Sequence, residues 1–336
     1  MIIKTAILGY GRSGSTLHAD PIEKSADFQL VAVCDIDEQA RQKAFQRFGC
    51  KLYENHLDML AGEDLDLVVV VTRSDQHAAM ACDCLKAGKN VLVTKPWAAD
   101  YAQAGAMMKQ ARSSGKMLLP WLPARWGCDL LRLKALLASG IIGRVFQVRR
   151  SEYAFGLRND WQIWKKYAGG YLLNWGPHLV DQPIQLLEAS IKTVYGEMRQ
   201  INNPGDVEDV FYAVMKTTDD ILIVSEYNIA AGATPNWMIQ GDRGTIYVHQ
   251  DQITIHQAAF APPDRDGYRS PVQMETTCET VSGNRYGDQF AIYQHIARAL
   301  QGLEPYQVTP ASAAGLTRIL DAVRTSSEQG KVIHLS

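Results

Sequence analysis

The chain opens with Met1-Ile-Ile-Lys-Thr-Ala-Ile-Leu-Gly9-Tyr-Gly11-Arg-Ser-Gly14. The apolar run from Ile2 to Leu8 predicts a buried parallel strand, and it leads into the pattern Gly-x-Gly-x-x-Gly. In this pattern the first glycine makes a tight turn, the second lets a pyrophosphate approach the backbone, and the third allows close helix–strand packing. A helix beginning near Ser15 would offer its free N–H groups to the phosphates. The stretch therefore predicts the strand, turn and helix of a dinucleotide-binding fold.

An acidic residue stands at the position that a dinucleotide would require. The apolar strand Leu30–Val33 ends in Cys34-Asp35, and Asp35 lies 21 residues after Gly14. At this spacing a carboxylate binds the ribose hydroxyls. Asp35 could instead cap the helix that begins near Asp37.

The same position bears on the choice between NAD and NADP. A carboxylate at Asp35, followed by Ile36, would repel the additional phosphate of NADP. Arg12 and Arg41 could offset that repulsion. The sequence therefore favours NAD and leaves NADP as the alternative.

Composition excludes several classes of function. The 336 residues suggest two domains, and 34 basic against 36 acidic residues, with a net charge of -2, indicate no affinity for nucleic acid or an anionic membrane. The longest apolar run, Leu67–Val71, is too short to cross a bilayer. No secretory signal is evident, and six scattered cysteines predict reduced thiols and no metal site, so we expect a cytoplasmic protein.

The first third of the chain alternates strands with helices and closes at Pro120, which predicts a doubly wound parallel sheet. Beyond about Pro123, closely spaced strands predict a mainly antiparallel sheet with helices on one face, a loop at Pro262–Gly267 and two closing helices. The predicted fold class is α/β, with an N-terminal Rossmann domain over 1–122 and a C-terminal α+β domain over 123–336. A second copy covering the open face of the large sheet would make a homodimer or homotetramer.

Four motifs carry a resemblance that spans the whole chain. They are the glycine pattern with Asp35, Ala87-Gly-Lys-Asn-Val-Leu-Val-Thr-Lys-Pro96, Gly140-Ile-Ile-Gly143, and Gly169-Gly-Tyr-Leu-Leu-Asn-Trp-Gly-Pro-His-Leu-Val-Asp181. In these the chain resembles the glucose–fructose oxidoreductase / inositol dehydrogenase / MocA family of NAD(P)-dependent enzymes, which act on sugars and cyclic polyols. Thr94 and Asn174 depart from the family pattern, which usually has Glu and Asp there.

The resemblance implies a set of cofactor-binding positions near the ends of the first strands. They are Gly9, Tyr10, Gly11, Arg12, Ser13, Gly14, Asp35, Ile36, Thr72, Arg73, His77, Thr94, Lys95 and Pro96. Arg73 is a further departure, because the family commonly has Pro-Asn where this chain has Arg73-Ser74.

The resemblance also implies two residues that act directly in the chemistry. Lys95 would hydrogen-bond the reacting hydroxyl and stabilise negative charge on its oxygen as hydride leaves. His178 would carry the proton, because an imidazole exchanges protons near neutral pH. Lys95 could instead be a solvated residue at a strand end, and His178 a structural histidine.

Asn174 is the third predicted catalytic residue. In a continuous helix, Asn174, His178 and Asp181 would share a face, although Pro177 must kink that helix or start a new one. An amide at position 174 supplies no charge to the histidine, so we expect His178 to act alone or with Asp181 as the residue that orients it.

Substrate-binding residues are predicted around an aromatic, charged stretch that begins at Tyr153. Aromatic rings pack on sugar faces and charged groups bind hydroxyls, although the tryptophans could equally fill the core. The predicted set is Arg125, Trp126, Tyr153, Arg158, Trp161, Trp164, Asn174, His178 and Asp181. Arg149, Arg150 and Arg158 would favour an anionic sugar, but solvated arginines at a strand edge explain them equally well.

The predicted reaction moves hydride between nicotinamide and a secondary alcohol carbon of a sugar, sugar acid or cyclic polyol. A lyase or glycosidase that oxidises its substrate transiently is one alternative. A dinucleotide-sensing regulator without turnover is the other.

Overall fold

The computed structural model describes residues 2–262 and 271–335. Within it the chain divides into two compact units. The first comprises residues 1–123, 160–177 and 288–321, and the second comprises 124–159, 178–287 and 322–336. Apart from Pro262, the loop predicted at Pro262–Gly267 lies outside the described residues.

Six parallel strands form the sheet of the first unit, which confirms the predicted Rossmann sheet. They are β1 (Ile3–Leu8), β2 (Phe28–Cys34), β3 (Lys51–Tyr53), β4 (Leu67–Val70), β5 (Asn90–Val93) and β6 (Leu118–Pro120). The sheet order is β3-β2-β1-β4-β5-β6. The order reverses between β1 and β4, and ligands of such sheets bind outside the carboxyl ends of the strands at this reversal.

The described residues form ten α-helices. They are α1 (Ala19–Lys24), α2 (Glu38–Phe48), α3 (His56–Gly62), α4 (His77–Lys86), α5 (Tyr101–Ser114), α6 (Cys128–Ala138), α7 (Tyr171–Leu179), α8 (Asp181–Leu187), α9 (Gln289–Leu300) and α10 (Pro310–Gln329). A short π-helical turn, Gly14–His18, precedes α1 where the sequence predicts an ordinary helix start. No helix of the described residues is both long and apolar enough to span a membrane.

Nine strands form the sheet of the second unit. They are β7 (Val145–Tyr153), β8 (Ile191–Arg199), β9 (Val210–Thr217), β10 (Leu222–Asn228), β11 (Trp237–Gly241), β12 (Gly244–His249), β13 (Gln252–Phe260), β14 (Val272–Thr280) and β15 (Ile333–His334). Their order is β14-β13-β12-β11-β7-β10-β9-β8-β15. Only the β7–β10 pair is parallel among these described strands, so the predicted mainly antiparallel sheet is confirmed.

Apolar side chains of α6 and α8 pack on this sheet. Leu130 and Leu133 of α6 and Leu186 of α8 join Val148 and Trp237 of the strands in one buried cluster. The Trp237 Nε1–H donates to Asp129 Oδ2 at 2.8 Å, which satisfies both polar groups inside the core. This packing fixes the positions of the residues at the start of α6 and α8 relative to the sheet.

Candidate active site

The glycine turn after β1 has the geometry that a pyrophosphate requires. Gly9 has a φ of +93°, and a Cβ there would lie 2.7 Å from the Val71 carbonyl oxygen. A Cβ on Gly14 would lie 2.0 Å from the Gly9 carbonyl oxygen, so only glycine allows the helical turn to approach the strand this closely. A Cβ on Gly11 would meet nothing within 4 Å, which leaves its backbone open to a ligand.

Asp35 lies at the end of β2 with its carboxylate turned toward the glycine turn. Its Oδ2 accepts from the Tyr10 N–H at 2.6 Å, and its Oδ1 accepts from the Asp37 N–H at 2.9 Å. The cap of α2 is Asp37, whose side chain accepts from Gln39 N–H, so Asp35 does not itself cap the helix. Each carboxylate oxygen has further lone pairs for ribose hydroxyls.

Other residues predicted to bind the cofactor surround this turn. Arg41 Nη1 donates to the Asp35 carbonyl oxygen at 2.6 Å, which holds its guanidinium beside the acid. Arg12 is exposed, Ser13 is half-buried, and Ile36 is 74% exposed. Ile36 and the Arg41 guanidinium therefore lie next to Asp35, and Arg12 is exposed in the glycine turn. These residues fit a dinucleotide.

A buried histidine connects the ends of β4 and β5. His77 Nδ1 lies 2.8 Å from the Pro96 carbonyl oxygen, and Nε2 lies 3.0 Å from the Thr72 carbonyl oxygen. Burial lowers the pKa of His77, although the two carbonyls oppose that shift. Thr94 is also buried, with its hydroxyl donating to the Val70 carbonyl at 3.2 Å. His77 and Thr94 therefore hold the two strand ends that flank Lys95.

Lys95 follows β5 directly, and its ammonium contacts α7. Nζ donates to the Asn174 main-chain oxygen at 2.9 Å and to Asn174 Oδ1 at 2.8 Å. The Lys95–Pro96 peptide bond is cis. Lys95 is half-buried at the carboxyl edge of the sheet. Its ammonium is held there by Asn174. The side chain of Asn174, which we predicted as a catalytic residue, thus contacts Lys95 directly.

The segment that carries Asn174 and His178 forms two helices, whereas we predicted a single helical face that also includes Asp181. α7 runs from Tyr171 to Leu179 with Pro177 inside it, and α8 starts at Asp181. Asn174 and His178 therefore share α7, whereas Asp181 opens the next helix.

Asp181 forms a buried ion pair. Arg125 Nε donates to its Oδ2 and Nη2 donates to its Oδ1, both at 2.8 Å. The two side chains are 6% and 2% exposed. Both carboxylate oxygens thus accept from the Arg125 guanidinium, which balances the negative charge of Asp181. The role of Asp181 in orienting His178 stays a prediction.

The remaining predicted substrate residues are distributed over both units. In the first unit Trp161 is half-buried and Trp164 is 42% exposed, so neither tryptophan fills the core. In the second unit the Tyr153 hydroxyl lies 3.4 Å from His249 Nδ1, Trp126 is half-buried, and Arg158 N–H donates to Asn203 Oδ1 at 2.7 Å.

Two interactions involve residues that the sequence did not single out. In the first unit the Arg73 guanidinium lies over the ring of Tyr167, 4.1 Å from its centroid. In the second unit the ring of Tyr286 lies against His178, with 5.1 Å between centroids. The aromatic character of Tyr167 was the available signal for the first, and nothing local in the sequence links Tyr286 to position 178.

The chain also matches family models over most of its length. Residues 3–120 match the NAD-binding Rossmann fold of the GFO/IDH/MocA oxidoreductase family, and residues 130–247 match the GFO/IDH/MocA C-terminal domain. The chain belongs to the GFO/IDH/MocA oxidoreductase family. The resemblance stated from the motifs is confirmed. This family member is an NAD-binding dehydrogenase enzyme.

Relatives and solved structures of the family align with almost the whole chain. The uncharacterized oxidoreductase YdgJ of Escherichia coli is 26% identical, covering 98% of this chain and 96% of its own. The scyllo-inositol 2-dehydrogenase (NADP(+)) IolW of Bacillus subtilis is 24% identical, covering 99% and 96%. The WlbA dehydrogenase of Bordetella pertussis, solved with NADH and UDP-GlcNAcA, has a TM-score of 0.83 at 21% identity, covering 100% and 98%. The structural likeness at this identity shows a shared fold.

Proposed function

We propose that this GFO/IDH/MocA protein transfers hydride between nicotinamide and a secondary alcohol carbon of a sugar, sugar acid or cyclic polyol. The observation that carries the proposal is the placement of Lys95 at the carboxyl end of β5 with its ammonium held by Asn174. An ammonium at that edge would stabilise negative charge that develops on an alcohol oxygen during hydride transfer. The inositol 2-dehydrogenase relative supports a polyol as substrate.

Each predicted residue has a distinct role in this proposal. The glycine turn and Asp35 would hold the dinucleotide, whose nicotinamide would supply or accept hydride. Lys95 polarises the substrate oxygen, and Asn174 orients the ammonium. His178 takes the hydroxyl proton during oxidation and returns it during reduction. Trp126, Tyr153, Arg158, Trp161 and Trp164, with the Arg125–Asp181 pair, are proposed to bind or shape the site for the substrate.

The domain and assembly predictions belong to the same proposal. Residues 1–122 would form the NAD(P)-binding domain, and residues 123–336 the substrate-binding and oligomerisation domain. Phe260, Val272 and Met274 on the last strands are 62%, 47% and 61% exposed, which supports a homodimer or homotetramer through the large sheet. Scattered cysteines favour a reducing, cytoplasmic location.

The test measures NADH formation with a panel of inositols, sugars and sugar acids. Lys95→Ala and His178→Ala should each lower kcat by roughly 10²–10³-fold, because each removes charge stabilisation or proton transfer in the transition state. NADH affinity, measured by fluorescence titration, should change little in either variant. Lys109→Ala on the exposed face of α5 is the matched control and should keep full activity.

Two outcomes would contradict the proposal. Activity of Lys95→Ala equal to that of the parent would remove the lysine from the chemistry. Product formation without accumulation of NADH would indicate transient oxidation, as in the lyase or glycosidase alternative. A parallel titration with NADPH tests the NAD preference assigned to Asp35.

A further inference from the structure

Tyr286 lies in a loop of the second unit that is held by hydrogen bonds. Asn284 Oδ1 accepts from Tyr286 N–H at 2.8 Å, and the Asn284 carbonyl accepts from Gly287 N–H at 3.1 Å. The same carbonyl accepts from Cys128 N–H at 3.1 Å at the first turn of α6. The loop is therefore fixed to the helix that packs on the large sheet, and the position of Tyr286 is set by backbone contacts.

The Tyr286 side chain makes two directed contacts. Its ring is inclined by 54° to the imidazole of His178, with 5.1 Å between centroids, which is the range of favourable tilted ring pairs. Its hydroxyl donates to Glu152 Oε2 at 3.0 Å. The ring thus faces the proposed proton carrier while the far end of the side chain is anchored to β7.

Glu152 is itself held in place by polar groups of the sheet. Asn236 Nδ2 donates to its Oε2 at 3.3 Å, and Arg150 Nη1 lies 3.7 Å from the same oxygen. The Arg150 side chain is fully buried at 0% exposure and also donates through Nε to Gln182 Oε1 at 2.8 Å. Glu152 is therefore a fixed acceptor, compensated in charge by a buried guanidinium.

The tyrosine remains a hydrogen-bond donor over the working pH range. Burial raises the pKa of Tyr286 to about 12, and the Glu152 carboxylate acts in the same direction against the nearby cations Arg150 and Arg285. The hydroxyl therefore stays protonated, and the contact to Glu152 persists through neutral pH.

We propose that Tyr286 is a positioning residue for His178, holding the imidazole by ring contact while Glu152 fixes the tyrosine through its hydroxyl. The inference rests on the proposed function, in which His178 carries the proton. A proton carrier must lie within hydrogen-bond reach of the reacting hydroxyl, and a displacement of about 1 Å can cost roughly 10²-fold in rate. His178 is 6% exposed, so the ring that lies against it restricts where the imidazole can move.

The test compares two variants of the full-length enzyme. Tyr286→Leu removes the ring and should lower kcat by roughly tenfold to a hundredfold, with the NADH dissociation constant unchanged. Tyr286→Phe keeps the ring and loses the anchor, so its kcat should fall between those of Tyr286→Leu and the parent. The midpoint of the kcat/KM pH profile assigned to His178 should move in Tyr286→Leu.

The control is Tyr212→Leu on β9 of the same sheet, where a half-buried tyrosine hydroxyl accepts from Asn228 Nδ2 at 3.3 Å. It should leave kcat and the pH midpoint unchanged. The proposal is overturned if Tyr286→Leu keeps both kcat and the pH midpoint of the parent. Should that variant not fold, a Tyr286→Phe enzyme identical to the parent in both respects overturns it equally.

An NMR titration of the His178 imidazole separates this proposal from the proposed function. The signal is assigned by its loss in His178→Asn, and the measurement needs no turnover. An inactive parent protein would refute the proposed function alone. The positioning proposal would then stand if Tyr286→Phe or Tyr286→Leu moves the titration midpoint, and it would fail if the midpoint is the same in all three proteins.

Discussion

At the scale of single residues, Asn174 shows how one atom changes the electrostatics of Lys95. The amide oxygen accepts from the ammonium at 2.8 Å but carries no formal charge. Asn174→Asp would place a carboxylate at that distance. Its attraction favours the protonated lysine, so the pKa of Lys95 should rise in the variant.

The measurement is the pH dependence of kcat/KM. The alkaline limb assigned to Lys95 should move to higher pH in Asn174→Asp, since the ammonium then persists to higher pH. Asn228→Asp, on β10, is the control and should leave both limbs in place. A shift confined to the acid limb of Asn174→Asp would show that residue 174 acts on His178 instead.

Alanine substitutions in the glycine turn distinguish the effect of a methyl group on folding from its effect on NADH binding. Gly14→Ala places a Cβ 2.0 Å from the Gly9 carbonyl oxygen, so both folding stability and NADH binding should decrease sharply. Gly11→Ala meets no protein atom within 4 Å and should keep the parent melting temperature while losing NADH affinity. Thermal unfolding and NADH titration on the same samples check both. A Gly11→Ala protein that binds NADH normally would contradict the pyrophosphate position.

Residue identities at the candidate site were readable from the sequence, whereas their partners were not. The chain order places Lys95 after a strand and Asn174 in a helix, but their contact spans 79 positions of sequence. The Tyr286–His178 contact joins residues that are still farther apart in the chain. Such pairs depend on how the elements pack, which periodicity does not encode.

At the scale of elements, local patterns predicted most of the fold. The helices Glu38–Phe48 and Tyr101–Ser114 each begin after an Asp cap and end at a left-handed glycine, which are local sequence signals. β14 has no sequence signal, because Val272–Thr280 is exposed at almost every position and shows no apolar alternation. Its pairing with β13 comes from backbone hydrogen bonds of a sheet edge, which a side-chain pattern does not reveal.

Two helices contain glycines that packing does not require. A Cβ added at Gly105 in α5 or at Gly315 in α10 meets nothing within 4 Å, and neither residue has a left-handed φ. Gly105→Ala and Gly315→Ala should each stabilise the protein by about 0.5–1 kcal/mol, because alanine loses less backbone entropy on forming a helix. Denaturant unfolding measures the gain, with Gly49→Ala, at a φ of +62°, as the strained counterpart that should destabilise. A loss of stability at Gly105 would contradict the open space described there.

At the scale of the whole molecule, the compact units are not continuous in sequence. Residues 160–177 and 288–321 return to the unit that begins the chain. The change in the sequence pattern near residue 123, from alternating strands and helices to closely spaced strands, marks the end of the parallel α/β region. It carries no information on later segments, because their membership depends on long-range packing.

Acid stability is a property of the whole molecule that one buried residue should influence strongly. His18 is 0% exposed, and its Nδ1 lies 2.8 Å from the hydroxyl of Tyr293, whose ring is 5.9 Å away between centroids. Burial lowers the pKa of His18 from 6.5 to about 3. Below pH 6.5 the imidazole of His18 therefore binds a proton in the unfolded chain, whereas in the folded protein it stays neutral down to about pH 3.

Because the unfolded state binds this extra proton, the stabilising effect of neutral His18 is complete above pH 6.5 and is lost as the pH falls toward 3. The loss is about 1.4 kcal/mol in the free energy of unfolding for each pH unit. His18→Phe keeps a buried ring without a titrating group. It should unfold more easily at pH 8, since the Tyr293 hydroxyl loses its hydrogen-bond partner, and it should lose less stability on acidification than the parent. His334→Gln, which removes an exposed histidine, is the control. Urea unfolding at pH 8, 6 and 4.5 measures the three profiles, and parallel decreases for His18→Phe and the parent would show that His18 does not govern the acid response.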